Sequence, residues 1–273
     1  MRVVSLLPAA TEIVAAFGAA GWLVGVSHEC DWPPEVRKLP RVTRSSVDPS
    51  WSSAEIDRSP SRVTIDRELL ARLAPDLVIG QSVCDVCAVG EGEVAGAIAT
   101  LSHVPRVVTL HAHDLAGVFA DIAKVGDGLD LRSEAEELVA GLRYRLRRIP
   151  TPHVPRPTVL VIEWVDPPYI AGHWVPELIA LAGGVDIAAR PGDRSVTRTW
   201  NALRTLAPNV VVMALCGFDV ARARHEAAAV TDDDARALFT QARVVFIDGN
   251  AYTSRPGPRL VEGTELLAQL IRG

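Results

Sequence analysis

The sequence predicts an α/β protein made of two Rossmann-like parallel-sheet lobes bridged by one long backbone helix. Three observations carry this. Short apolar runs alternate with helix-like segments in the first part of the chain and again in the last. Between them, from Asp114 to Arg148, apolar residues fall at helical spacing with no strand signal. The length of 273 residues is long for one core and comfortable for two. Strands that alternate with helices imply parallel sheets.

The elements follow in order. "RVVSLL" (2–7) reads as a strand and "AATEIVAAFGA" (9–19) as a helix, with Pro8 near its first turn. "LVGVSHE" (23–29) is a second strand. Residues 31–62, rich in Pro, Ser and Arg, read as an irregular connection. "IDRELLARLAP" (65–75) is a short helix and "DLVIGQ" (76–81) a third strand, followed by "CDVC" and a helix; "RVVTLHA" (106–112) is a fourth strand. Leu115, Val118, Ile122, Val125, Leu129, Leu138, Leu142 and Leu146 then mark one long helix, with room for a bend at Gly126–Gly128. After four prolines in "PTPHVPRP", "TVLVIEW" (158–164), "NVVVMALC" (209–216) and "RVVFIDG" (243–249) are strands. Helices fall at 175–184, 201–208, 232–241 and 257–273. The predicted boundaries are 1–113 for the N-terminal lobe, 114–156 for the bridging helix and linker, and 157–273 for the C-terminal lobe.

Net charge is −5, from 28 basic and 33 acidic residues, so no basic surface invites nucleic acid or anionic lipid. No stretch reaches the roughly 18 uncharged apolar residues of a membrane span. The short apolar run after Met1-Arg2 is not a signal-peptide core, which places the chain in the cytoplasm; a mis-assigned start codon would instead allow a periplasmic or extracellular protein.

In open parallel sheets ligands bind beyond the carboxyl ends of the strands, and the polar residues collect there. Ser5 and Pro8 follow the first strand; His28, Glu29, Cys30 and Asp31 the second; Gln81, Cys84 and Cys87 the third; His111 and His113 the fourth. In the second lobe Glu163 and Trp164, then Cys216 and Gly217, then Asp248 and Asn250 do the same. The expected site is therefore a cleft between the lobes, faced by all four cysteines.

Those cysteines leave three readings open. Cys30, Cys84, Cys87 and Cys216 could hold zinc or an iron–sulfur cluster, with His28 or His111 replacing one ligand. Cys84 and Cys87, at a helix N-terminus that favours thiolate, could be a redox pair. Or they pack as small hydrophobes. "GEGEVAG" (90–96) misses the dinucleotide fingerprint. Arg255 and Arg259, around the turn in "SRPGPR", could bind an anion or open a helix. "TDDDAR" (231–236) reads as an N-cap run. His173, after the "DPPY" turn, faces ligand or solvent. No nucleophile–base pair or paired carboxylates stand out, so enzymatic activity stays uncertain and no reaction is proposed.

The blocks "VVSLLPAATEIVAAFG", "LVGVSHECDWPPEV", "LARLAPDLVIG", the long helix, "PPYIAGHWVPELIALAGGVDI" and "PGPRLVEG" together resemble the class III periplasmic substrate-binding proteins, closest to their cobalamin-binding branch. The resemblance covers nearly the whole chain. It implies two lobes that close on a corrinoid or related metal chelate, and delivery to an ABC importer. It also implies stacking by Trp32, Trp164 and Tyr169, less surely by Trp51 and Trp174, with polar contacts from His28, Gln81, Glu163, His173, Asp248, Asn250, Tyr252 and Arg255. Of the surface glutamates that dock such proteins, the first falls on Glu91 or Glu93 and the second on Asn201, so docking is in doubt. The alternative is a cytosolic metalloprotein or enzyme in which a cysteine-bound zinc or iron–sulfur centre replaces the ligand.

Overall fold

A computed structural model describes residues 1–48, 50–59, 63–82, 89–150 and 155–272. The chain divides into two compact units: residues 1–49, 59–112 and 116–141, and residues 50–58, 113–115 and 142–273.

The first unit opens with strand β1 (Val3–Ser5), helix α1 (Pro8–Ala16) and β2 (Leu23–Val26). Pro8 sits at the first turn of α1, where its missing N–H costs no hydrogen bond. The stretch expected to be irregular holds β3 (Thr43–Ser45), which pairs antiparallel with β4 (Val63–Ile65); helix α2 (Ser53–Arg58), between them in sequence, belongs to the second unit. Three-residue strands give too little alternation to be read against a Ser- and Arg-rich background. Helix α3 (Arg67–Leu73) starts later than predicted because Asp66 caps it, accepting the Leu69 N–H at 2.9 Å. Strand β5 (Leu77–Gln81), helix α4 (Glu91–Ile98) and β6 (Arg106–Leu110) complete a parallel sheet ordered β2-β1-β5-β6. Val4, Leu6, Val42, Leu70, Val78, Val94 and Ala97 pack on it as the core.

The predicted long helix is two helices, α5 (Leu115–Gly128) and α6 (Arg132–Arg148). Asp130 takes a left-handed conformation, φ 59°, and the Leu131 N–H returns to the Gly126 carbonyl at 2.8 Å. A Cβ on Gly126 would lie 2.4 Å from Ala135 Cβ, so glycine lets α6 fold back on α5. The apolar spacing runs on through the break, which hid it. The division between the units falls inside α6, after Gly141.

The second unit holds β7 (Thr158–Val165), β8 (Pro168–Ile170), helix α7 (Val175–Leu181), β9 (Val185–Asp186), β10 (Val196–Thr197), α8 (Trp200–Thr205) and β11 (Val210–Met213). It continues with α9 (Val220–Ala229), α10 (Asp233–Gln241), β12 (Arg243–Phe246), α11 (Gly249–Tyr252) and α12 (Arg259–Arg272). Its sheet runs β10-β8-β7-β11-β12, with β9 also on β7. Strands β7, β11 and β12 are parallel, as expected, and β9 joins β7 in parallel; β8 pairs antiparallel with both β7 and β10. Only Asp166 and Pro167 link β7 to β8, far too few residues for a parallel crossover. Leu160, Ile162, Val211, Met213, Leu215, Trp200, Leu203 and Leu238 form the core. Sequence reading missed α9, although Asp219 caps it by accepting the Arg222 N–H at 2.8 Å; its run of Ala, Arg, His and Glu carries little apolar stripe. Gly249, which opens α11, sits where a Cβ would meet the Leu215 carbonyl at 2.2 Å, so α11 lies directly on the end of β11. No described helix is long and apolar enough to cross a membrane.

Candidate functional site

In the first unit the loops after β1 and β2 are tied into one polar knot. Thr11 Oγ1 donates to Ser5 Oγ at 2.8 Å and lies 3.1 Å from Cys30 Sγ. Cys30 is 1% exposed, which fits the packing reading of that residue. Arg41 donates to the carbonyls of Ser27 and Cys30 at 3.0 and 2.6 Å. Thr43 Oγ1 accepts the His28 backbone N–H at 2.9 Å, donates to Ser27 Oγ at 3.2 Å and lies 2.7 Å from His28 Nδ1. Ser27, the His28 ring and the His28 backbone N–H thus share the Thr43 hydroxyl. Burial, then the Arg41 charge, push the His28 pKa down from 6.5, which favours the neutral ring. Trp32, in the same loop, is 45% exposed.

Gln81 ends β5 and is buried. Cys84 and Cys87 lie outside the described residues. The Ser82 hydroxyl and His111 Nδ1 are hydrogen-bonded to each other. Behind them Asp121, which sequence reading missed, accepts the N–H groups of His111 and Ala112, each at 2.8 Å. Burial pushes its carboxyl pKa up against those two bonds. An Asp between Val118, Ile122 and Val125 on an apolar helix face was the available signal.

In the second unit Glu163 and Trp164 lie on β7 itself, not beyond it. The register shifts between Ile162 and Trp164, so Glu163 occupies a bulge, a device that re-aims side chains next to binding sites. Trp164 stands opposite Tyr169 on β8, and directly opposed residues share one face of a sheet. Both are half-buried. Phe218 backs the tryptophan, its ring 5.3 Å away at 33°. Cys216 is partly exposed, and its N–H donates to the Glu163 carbonyl at 2.9 Å.

His173 has φ 55°, a conformation that costs a non-glycine residue free energy and is often kept at functional sites. Its N–H donates to the Asp193 carbonyl at 2.6 Å and its carbonyl accepts from Gly192 at 3.0 Å. Its ring stacks on His113, centroids 5.9 Å apart. Burial, then the charges of His113 and Arg194, lower its pKa from 6.5.

The remaining predicted contacts are engaged within the unit. Trp174 is 6% exposed and its Nε1 donates to the Thr253 carbonyl at 2.7 Å. Asp248 caps α11 through the Ala251 N–H at 2.8 Å, and burial raises its pKa. Arg255, 6% exposed, donates to Asn250 Oδ1 at 2.8 Å. Tyr252 donates to Glu262 at 3.2 Å and lies beneath Arg259. Among the described residues, no three His, Cys, Asp or Glu side chains are grouped to hold a metal ion.

Against known proteins, residues 3–238 match the family model described as periplasmic binding protein. The vitamin B12-binding protein of Vibrio cholerae is 27% identical over 212 residues, which cover 69% of this chain and 61% of that relative. The chain thus spans less than two thirds of that relative's length. The structure of the periplasmic heme-binding protein of Vibrio cholerae superposes with a TM-score of 0.74 at 20% identity, covering 100% of this chain and 99% of the other. The periplasmic vitamin B12-binding protein of the same organism gives 0.64 at 20% identity, covering 99% and 96%. At these identities the likeness is one of fold.

Proposed function

The chain belongs to the periplasmic binding protein family, and on that premise we propose that it is the substrate-binding protein of an ABC importer, with cobalamin or a related corrinoid as ligand and haem as the runner-up. The single observation that carries this is the aromatic face of the second unit, where Trp164 and Tyr169 oppose each other across β7 and β8 with Phe218 behind. Half-exposed rings on a rigid sheet offer a large apolar surface at little entropic cost, which suits a flat macrocycle. The relatives named for vitamin B12 and for heme support the same ligand class. Trp32 and the neutral His28 are the proposed contributions of the first unit, with Glu163 and His173 as further polar contacts in the second.

The periplasmic placement of the solved relatives favours that compartment over the cytoplasm for this chain. Glu93 pairs with Arg67 at 3.0 Å while Glu91 is exposed, so Glu91 is the group proposed to meet the importer. The test is an absorbance titration of purified protein with hydroxocobalamin, haemin and a ferric siderophore in turn. Saturable one-to-one binding of a tetrapyrrole, tighter than that of the siderophore, is expected. Absence of binding to all three contradicts the proposal.

A further inference from the structure

Helix α2 and the residues before it come from the N-terminal half of the sequence yet are bonded into the second unit. The group that holds them is Glu226, on α9, 4% exposed. Both of its oxygens are used. Oε2 accepts the Ser53 N–H at 3.0 Å and the Ser53 hydroxyl at 2.9 Å. Oε1 accepts Arg222 Nε at 2.9 Å. Arg222 in turn donates through Nη2 to the Trp51 carbonyl at 2.5 Å, and its guanidinium lies 5.0 Å from the centre of the Phe218 ring. The Ser53 carbonyl accepts Trp164 Nε1 at 3.1 Å.

We infer that Glu226 is the positioning residue of the aromatic face: acting through Ser53 and Arg222, it sets the orientation of Trp164 and Phe218. This inference rests on the proposal that Trp164 touches ligand. The physical reason lies in the buried charge. A carboxylate out of water must have its lone pairs satisfied, and here Ser53 and Arg222 supply those bonds. Glu226 therefore holds Ser53 and Arg222 in one geometry. Each then fixes an aromatic neighbour, Ser53 by accepting the indole N–H and Arg222 by lying over the phenyl ring. Trp164 and Phe218 touch each other, so the two branches close on the same face. An indole whose one donor is bound cannot turn about its side-chain torsions without losing that bond. The ring face left open to solvent is thus presented in a single orientation. No sequence pattern announces this, since 173 residues separate Ser53 from Glu226.

The test measures hydroxocobalamin and haemin affinity for the full chain carrying Glu226→Ala, Glu226→Gln, Trp164→Phe and the Glu226→Ala/Trp164→Phe pair. Glu226→Ala is expected to weaken binding roughly tenfold, and Trp164→Phe to weaken it in the wild type but hardly at all once Glu226 is gone, because groups in one network are not additive. Glu226→Gln is expected to fall between, its amide oxygen still accepting from Ser53 while the ionic partner of Arg222 is lost. Equal losses from Trp164→Phe in both backgrounds overturn the inference. If Glu226→Ala fails to fold, Glu226→Gln carries the same comparison. If Trp164→Phe changes nothing in the wild type, the proposed function is what fails. Glu226 is then judged without ligand, by the NMR resonance of the Trp164 indole N–H: a shift in Glu226→Gln upholds its positioning role and an unmoved resonance overturns it.

Discussion

The two units hold their candidate binding residues in place with different chemistry. The first uses small neutral groups: the hydroxyls of Ser5, Thr11, Ser27 and Thr43, one thiol and one uncharged imidazole, with Arg41 on the carbonyls. The second uses the buried carboxylate of Glu226 with the partly exposed guanidinium of Arg222, and sets aromatic rings against them. A hydroxyl knot holds a loop but offers little apolar area. A carboxylate is expensive to bury, yet its several charge-assisted bonds can hold the groups that fix large rings. The difference teaches that the affinity for a flat ligand should reside mainly in the second unit.

The largest expected effect follows directly. Trp164→Ala should cost about 2 kcal/mol of binding free energy, roughly a thirtyfold loss, whereas Trp32→Ala should cost well under half of that; reversed losses in a chelate-binding titration would break the comparison. Next, Thr43→Val removes the shared partner of the His28 ring and backbone inside the knot. Unsatisfied buried donors cost about 1–2 kcal/mol, to be read as a lower denaturation midpoint with the aromatic face of the second unit unaffected in near-ultraviolet dichroism.

A smaller effect concerns pH. The folded-state pKa values of His28 and His173 both lie below 6.5. The unfolded chain then binds more protons than the folded one as pH falls through 6.5, so these residues contribute stability that is present above this pH and lost below it. His173→Asn should flatten the decline in stability between pH 7 and 5, and an unchanged slope would show that the His113–His173 stack carries no protonation cost. The smallest expected effect is none: Cys84→Ser with Cys87→Ser should leave the metal content of the purified protein unchanged. Loss of stoichiometric zinc or iron would instead establish the cysteine-held centre.

The architecture was legible because it depends on local signals. Pro8 before an apolar helix, the "DLVIG" and "VVVM" runs and the strand–helix alternation all report burial over a few residues. What was illegible depends on distance or on backbone conformation. The break at Asp130 interrupts no apolar spacing. The Asp166-Pro167 connection makes a hairpin, although β7 alone reads like any other parallel strand. Trp164 was legible as an aromatic candidate at a strand end, whereas Tyr169 was reached only through the family resemblance. Trp174 was legible in the same way, but not the bond its indole makes to the Thr253 carbonyl. Glu226 sits in an Arg- and Ala-rich helix where a glutamate reads as solvent-facing; only the arrival of Ser53 makes it internal. The resemblance found from "VVSLLPAATEIVAAFG" and "DWPPEV" pointed to the family, which the match over residues 3–238 establishes.

The most direct measurement is a tryptophan-fluorescence titration with hydroxocobalamin, whose absorption quenches nearby indoles, run on the wild type and on Trp164→Phe. Saturable quenching in the wild type, with much of its amplitude lost and the affinity weakened in Trp164→Phe, is the predicted result. Saturable quenching of equal amplitude and affinity in both proteins would place the ligand away from the aromatic face and contradict the account.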